Sequence, residues 1–261
     1  MKSRFHLCEN AEKLRNFCLS FYAIPLHFII SKCCLNSKEK NSACEEDPYK
    51  KDREQLFDFA AKYMNLKNPD ILRACKTVPR HKFVPSREAD QAYDDCALPI
   101  GCGQTISQPS LVAQMIELSE LKPGDKVLEV GTGSGYQTAL LAELGYGDVF
   151  SVEIIPQLYE RAKKILNELG YTNVKLKLGD GYYGWPEYAP YDAIVVTAAA
   201  EKVPPPLIEQ LDEGGILLIP IGPRNRSQTL WKFVKENGKL TRKDVGNVIF
   251  VPFVGDGIRN D

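Results

Sequence analysis

The sequence predicts an α/β fold: a doubly wound, Rossmann-like sheet with helices on both faces. Three observations carry this expectation. From residue 126 onward, short apolar runs alternate with amphipathic helical segments. A glycine-rich loop, Gly131 to Gly135, joins one of these runs to the helix behind it. Near the end, Asn237-Gly238 separates two extended runs, which is the turn chemistry of a β-hairpin. Repeated strand and helix is the pattern of a parallel sheet covered on both faces. A helical part is expected before the sheet and a C-terminal β-hairpin after it.

The elements follow in order. REQLFDFAAKYM has helical periodicity. Asn68-Pro69-Asp70 opens the helix ILRACKTV, because Asn68 suits the N-cap and Pro69 the first helical position. LPIGCGQTISQP is rich in Pro and Gly and reads as a loop. SLVAQMIELSEL is a helix beginning near Pro109. After the Pro123-Gly124 turn come the strand KVLEV, the glycine loop and the helix YQTALLAEL, stopped by Gly145. DVFSVEI is the next strand, and Pro156 opens the helix QLYERAKKILNEL, which Gly170 stops. VKLKL, DAIVVTAA and GGILLIPIG are further strands, with a short helix from Pro204 to Leu211 before the last of them. LWKFVKENGKLTRKDV is the hairpin, and VIFVPF reads as a final strand.

A chain of 261 residues suits one large α/β domain with appendages, at about 100–200 residues per domain. With 33 basic and 34 acidic side chains the net charge is −1, which excludes the basic footprint of a nucleic-acid binder. Five of the eight cysteines, Cys8, Cys18, Cys33, Cys34 and Cys44, precede residue 45. The other three, Cys75, Cys96 and Cys102, cannot all pair with one another, which favours a reducing compartment. No C-x-x-C pair occurs, and His6, His27 and His81 form no H-E-x-x-H, so no metal site is expected.

Residues 1–48 differ in composition and form an extension of uncertain order, with the main domain at 49–261. Phe17 to Ile30 is an apolar run of 14 residues, preceded by Lys13 and Arg15. A bilayer span needs about 20 residues, so no stable membrane span is expected. The favoured reading is a tail without a catalytic part. The alternative is a signal-like segment over residues 13–31 that exports the chain.

VLEVGTGSGY, Val127 to Tyr136, is the most informative segment. Glycines at a strand–helix junction let the backbone turn sharply and let a ligand approach without a Cβ in the way. A dinucleotide fingerprint is G-x-G-x-x-G. Here Gly131, Gly133 and Gly135 give G-x-G-x-G, with Thr132 and Ser134 between them and Glu129 just before, and this form resembles motif I of the class I methyltransferases. Glu153 ends the following strand, 22 residues after Gly131, where a carboxylate accepts from ribose hydroxyls. Asp180-Gly181 follows the third strand, beside the adenine in the same reading. Taken singly, Glu153 reads equally well as a solvated carboxylate at a helix N-terminus, and Asp180-Gly181 as an ordinary turn.

LPIGCGQTISQPSLVAQM, followed by KVLEVGTGSGYQTALLAELG, resembles the protein-L-isoaspartate O-methyltransferase family. VPRHKFVP upstream, and YDAIVVTAAAEKVPPPLIEQLDEGG and VIFVPF downstream, match as well. The resemblance covers about Tyr49 to Gly255, and Gly-Gln-Thr-Ile-Ser-Gln-Pro is its specific part. It implies a cofactor, S-adenosyl-L-methionine, and a substrate, the free carboxylate of L-isoaspartyl residues in damaged proteins. The ester then closes to a succinimide, which begins repair. Both reactants arrive activated, so alignment and exclusion of water suffice without a triad or a metal.

By the same resemblance Ser107 is the catalytic residue, orienting the carboxylate through its hydroxyl. Taken alone, it reads as a cap for the helix near Pro109. Thr105, Ile106 and Ser107, with Gln228 from a late loop, are expected at the cofactor beside the glycine loop, Glu129, Glu153 and Asp180-Gly181. Cys102, Ser110 and Ile249 depart from the family pattern, which bears on peptide preference. Cys102 reads as a packed thiol, and Trp185 with Tyr182-Tyr183 as packing. A methyltransferase of another substrate, a cofactor-binding module without catalysis, and a dehydrogenase are the competing readings; the glycine spacing disfavours the last. A cytoplasmic monomer acting on isoaspartyl proteins is the expectation, with export the alternative.

Overall fold

The apolar runs at 127–130 and 149–153 are buried at every residue, a condition only interior strands of a sheet covered on both faces can meet. The computed structural model describes residues 47–224 and 226–260. Its main sheet has seven strands: β3 (Val127–Val130), β4 (Val149–Glu153), β5 (Val174–Leu178), β6 (Tyr191–Val196), β7 (Leu211–Ile221), β8 (Gln228–Glu236) and β9 (Lys239–Val248), in the spatial order β5-β4-β3-β6-β7-β8-β9. The first five are mutually parallel. β8 and β9 are added antiparallel, joined by Asn237 (φ 53°) and Gly238 (φ 72°), the left-handed pair that a two-residue hairpin turn needs.

The helices are α1 (Lys50–Tyr63), α2 (Pro69–Thr77), α3 (Pro109–Leu118), α4 (Tyr136–Leu144), α5 (Pro156–Glu168), α6 (Pro205–Glu209) and α7 (Asp256–Asn260). Asn68 caps α2, its side chain accepting from Asp70 N–H at 2.9 Å, and Pro156 begins α5. Gly145 and Gly170 adopt φ of 68° and 80° where α4 and α5 end. One core joins α1 to α5 to one face of the sheet, with Phe57, Met115, Leu140 and Leu158 packed near Val127, Val195 and Leu218. The other face carries less helix. There Leu128, Phe150, Ile194 and Leu217 are covered by Leu207 of α6, by the aromatics Trp185 and Tyr188, and by Phe253. Trp185 lies edge-on to Phe150 at 5.7 Å, so it is packing, as expected.

Two elements differ from the sequence expectation. LPIGCGQTISQP is not all loop: β1 (Leu98–Gly101) and β2 (Gln104–Ile106) pair as a separate two-stranded hairpin. Its turn uses Gly101, Cys102 and Gly103 at φ of 88°, 54° and 70°, and Cys102 is exposed rather than packed. VIFVPF is not a strand of its own: Val248 ends β9 opposite Gln228, and beyond it, where Pro252 has no N–H to donate, the segment makes an isolated bridge to Ala199, which donates to Val251 O and accepts from Phe253 N–H.

Among the described residues no helix is long and apolar enough to cross a membrane. The signal-like segment lies outside the described residues. The compact unit runs from Glu46 to Asp261, and Asp47 belongs with it: its carboxylate pairs with Arg53 at 2.7 Å, and Arg53 is 5% exposed. A cut after residue 48 therefore severs a partly buried ion pair. A chain starting at Glu46 is expected to melt above one starting at Tyr49 by roughly 2–4 °C, the shift for about 1 kcal/mol in a domain of this size. Parallel melting curves of the two truncations measure this, and equal melting temperatures would refute it.

Candidate active site

A cleft of about 820 Å³, counted to its open mouth, lies past the carboxyl ends of β3, β4 and β6. β3 sits between β4 and β6, so the strand order reverses there, and open α/β sheets bind ligands at such a point. One wall is Gln104, Thr105, Ile106 and Ser107 from β2 and the residues after it, with Val112 of α3. The floor is Glu129 to Ser134 with Tyr136 and Gln137. Glu153, Ile154, Ile155 and Leu158 form a second wall. Gly181, Thr197, Ala198 and Val251 to Val254 complete it.

The glycine loop is fixed by close approach. Gly131 has φ 100°, and a Cβ there would lie 2.3 Å from Thr197 Oγ1. That hydroxyl donates to Gly131 O at 2.7 Å, so the glycine lets β6 grip the loop. Gly135 (φ 87°) begins α4, and its hydrogen leaves room for Ala162 of α5.

Glu153 is 4% exposed, so it is not a solvated helix-end carboxylate. Its Oε2 accepts from Gly133 N–H at 2.7 Å and its Oε1 from Ile155 N–H at 2.9 Å. A carboxylate has about four lone-pair sites, so acceptor capacity remains toward the cleft. Glu129 is wholly buried. Its Oε2 accepts from Thr138 and from Ser151, and the Ser151 hydroxyl also bonds Thr132 Oγ1 at 2.6 Å. Burial pushes the Glu129 carboxyl up to about 7, while hydrogen bonds from Ser151 and Thr138 pull the other way. Neither Glu129 Oε1 nor Gln137 Nε2 has a hydrogen-bond partner among the described residues, although both are buried and both residues line the cleft.

Ten of the residues expected at the cofactor line the cleft: Thr105, Ile106, Ser107, Glu129, Gly131, Thr132, Gly133, Ser134, Glu153 and Gly181. Two do not. Asp180 turns its carboxylate to backbone donors, Tyr182 N–H at 2.9 Å and Gly257 N–H at 3.0 Å. Gln228 is 1% exposed, and its amide is spent on Pro223 O, Arg226 O and Phe250 N–H. Both hold the chain segments that border the cleft.

Ser107 does not cap α3. The N-cap is Gln108, which makes no side-chain cap bond, and Ser110 N–H is taken at 3.0 Å by Asp95, far upstream. The Ser107 hydroxyl has no hydrogen bond within the described protein and borders the cleft. Ser110 is fully buried, whereas Ile249 is 77% exposed. Gln137, Thr197 and Val251 to Val254 line the cleft without having been named as site residues, although all but Val254 lie in segments that carry the family resemblance, and Asp95 supports the cleft from outside its lining.

A mostly parallel sheet, a glycine loop after β3 and a carboxylate ending β4 make a Rossmann-like nucleotide-cofactor site, and the G-x-G-x-G spacing is the one that resembles motif I of the class I methyltransferases. A model of the protein-L-isoaspartate(D-aspartate) O-methyltransferase family matches residues 51–257, and the chain belongs to that family. It is 51% identical over 208 residues to the protein-L-isoaspartate O-methyltransferase of Dictyoglomus turgidum, covering 80% of this chain and 93% of the relative. To the enzyme of that name from Methanoculleus marisnigri it is 48% identical, covering 81% and 95%. A solved protein-L-isoaspartate O-methyltransferase superposes with a TM-score of 0.73 at 36% identity, covering 79% of this chain and 67% of that one. A Plasmodium falciparum chain described as a member of the same family, in complex with S-adenosyl-L-homocysteine, gives a TM-score of 0.68 at 26% identity, covering 77% and 98%.

Two outcomes follow from the carboxylates. Glu153→Ala is expected to weaken S-adenosylhomocysteine binding by about 1.5–3 kcal/mol, the range for bonds to a charged group; unchanged affinity by calorimetry would remove Glu153 from the site. For Glu129 the folded protein holds a proton up to about 7, against an ordinary value of 4.5, so its contribution to stability falls as pH rises through that window. Glu129→Gln is expected to flatten this slope. Melting temperatures at pH 5 and pH 7.5 test it, and an unaltered slope would dismiss the assignment.

Proposed function

We propose that this chain transfers a methyl group from S-adenosyl-L-methionine to the free carboxylate of L-isoaspartyl residues in proteins, starting their repair through a succinimide. One observation carries the reading. Ser107, within Gly-Gln-Thr-Ile-Ser-Gln-Pro, shares a cleft with the glycine loop and Glu153, and its hydroxyl is left unused by the fold. The relatives named above bear the same activity in their names. The G-x-G-x-G spacing disfavours a dehydrogenase, and a cofactor-binding module without catalysis has no chemical need for that serine.

The walls fit the cofactor. Glu153 offers acceptor capacity suited to ribose hydroxyls. Glu129 Oε1, buried and unpaired, offers an acceptor suited to the α-ammonium group. Val152, Ile155, Leu158 and Phe253 supply apolar surface. When bound, S-adenosylmethionine supplies a methyl group already activated on a sulfonium. The protein's own tasks are then positional. The Ser107 hydroxyl donates to the acceptor carboxylate and holds it in line, while Ile106 and Val112 keep water from the reacting atoms.

The domain from Asp47 onward holds every residue named in this mechanism. We assign the enzyme to the cytoplasm as a monomer without nucleic-acid partners; the near-neutral charge and the need for S-adenosylmethionine support this. Cys102 at the hairpin tip and exposed Ile249 bear on which peptides are preferred.

An isoaspartyl peptide should be methylated and its normal aspartyl counterpart should not; equal rates on both would overturn the substrate. Ser107→Ala is expected to lower kcat/KM by roughly 10- to 150-fold, one hydrogen bond to a charged group at about 1.4 kcal/mol per tenfold. Melting temperature should stay put, because Asp95 supplies the contact at the start of α3. A mutant with full specific activity ends the catalytic assignment.

A further inference from the structure

Ser107 sits near the end of a hairpin that belongs to no other sheet. From Asp95 the chain runs out along β1, turns at exposed Cys102, returns along β2 and reaches Gln108. Something must close the base of this excursion if Ser107 is to keep one position. The closure is Asp95. Its Oδ2 accepts from Gln108 Nε2 at 2.9 Å and its Oδ1 from Ser110 N–H at 3.0 Å. Gln108 Nε2 also donates to Ser110 Oγ at 3.0 Å, and Ser110 is fully buried. Pro109 between them has no N–H, so Ser110 carries the first donor of α3 after Gln108.

Asp95 itself stands on a fixed base. Arg80 is fully buried, and its guanidinium donates to Ala92 O at 2.9 Å and to Cys96 O at 3.3 Å, on either side of Asp95. A second strut reaches the hairpin higher up, where Arg161 Nη1 donates to Ile100 O at 2.7 Å. The base of the hairpin is thus braced from Arg80 through Asp95 to Gln108 and Ser110 at the start of α3.

We propose that Asp95 is a positioning residue for methyl transfer: by latching Gln108 and Ser110 it sets the place of the Ser107 hydroxyl in the cleft. This rests on the reading of Ser107 given above. A plain helix-capping role would affect stability alone. A positioning role moves turnover of the peptide and leaves cofactor affinity nearly untouched, because the glycine loop and Glu153 are held by other bonds.

The test uses D95A, D95N, Q108A, S107A and the D95A/S107A pair, each assayed for kcat/KM on isoaspartyl peptide, S-adenosylhomocysteine affinity and melting temperature. D95A should lose about ten- to a hundredfold in kcat/KM, the scale of a misplacement near 1 Å. Its cofactor affinity should stay within about threefold, as for independent sites. D95N should recover most of the rate, since Asn Oδ1 still accepts from Ser110 N–H and a turned Gln108 amide accepts from Asn Nδ2. Q108A keeps the contact to Ser110 N–H and should still be slow. The double variant should be no slower than S107A by more than about threefold if both act at one point. D95A with a lower melting temperature but wild-type kcat/KM per folded molecule overturns the latch. If D95A does not fold, Q108A with wild-type kcat/KM overturns it. S107A at the wild-type rate instead overturns the Ser107 reading, and losses that simply multiply in the double variant show that Asp95 does not act through Ser107.

Discussion

The bond from Gly133 N–H to Glu153 Oε2 is the tie on which the cleft depends. It spans from the loop after β3 to the last residue of β4, so the carboxylate fixes both strand ends relative to each other. The same side chain also receives Ile155 N–H and so sets where α5 starts. From the other side Thr197, just past β6, donates to Val130 O and Gly131 O. Three neighbouring parallel strands thus end in one hydrogen-bonded seam. The seam exists because Gly131 has no Cβ to collide with the Thr197 hydroxyl.

Beneath this seam lies a polar group that an apolar core would exclude. Glu129 is in the middle of the sheet, between neighbours that are wholly buried. A charge there is costly unless it is paired, and the fold supplies hydroxyls, from Thr138 and Ser151, to one oxygen, with the Gln137 amide also lowering the cost of the anion. The other oxygen is left unmet at the cleft floor. Hydroxyl donors lower the cost of the anion without cancelling it, which is why burial dominates and the group rests near neutrality. The arrangement is stable while retaining an appetite for a cationic or donor group from the cleft.

The parts legible in the sequence are those governed by local rules. The β3–loop–α4 junction, Glu153 at a strand end, the Asn68 cap and the Asn237-Gly238 turn each follow from a few adjacent residues. The parts that were not legible depend on contacts between distant segments. β1 and β2 hide in a stretch whose glycines and prolines signal a loop, because the hairpin is pinned by Arg161 and by Asp95 rather than by strand propensity. VIFVPF has strand composition, yet its place is set by Ala199 and by the cleft. Asp180 stands just outside the cleft lining formed by its neighbour Gly181, and its carboxylate accepts from Tyr182 and Gly257, contacts from residues after it and from the far end of the chain. Ser107 has the spacing of a helix cap, and only the arrival of Asp95 from before the hairpin relieves it of that duty.

The division of labour between the two sides of the cleft follows from how each is built. The side holding the glycine loop, Glu129 and Glu153 grows from central parallel strands, whose backbone pairs are buried and whose register is fixed on both edges. Such a wall suits a ligand of constant shape. The opposite wall, with Thr105 to Ser107, hangs on a short hairpin with an exposed tip and a C-terminal segment that touches the sheet at few points. The strands of the hairpin are anchored by buried Leu98, Ile100 and Ile106, so it is the exposed tip that opens at lower free energy than the core strands. A protein substrate must present one residue from a bulky chain, so its wall has to admit varied surroundings. Only the atom that meets the carboxylate needs a fixed place, and the bonds around Asp95 are concentrated at that end of the hairpin.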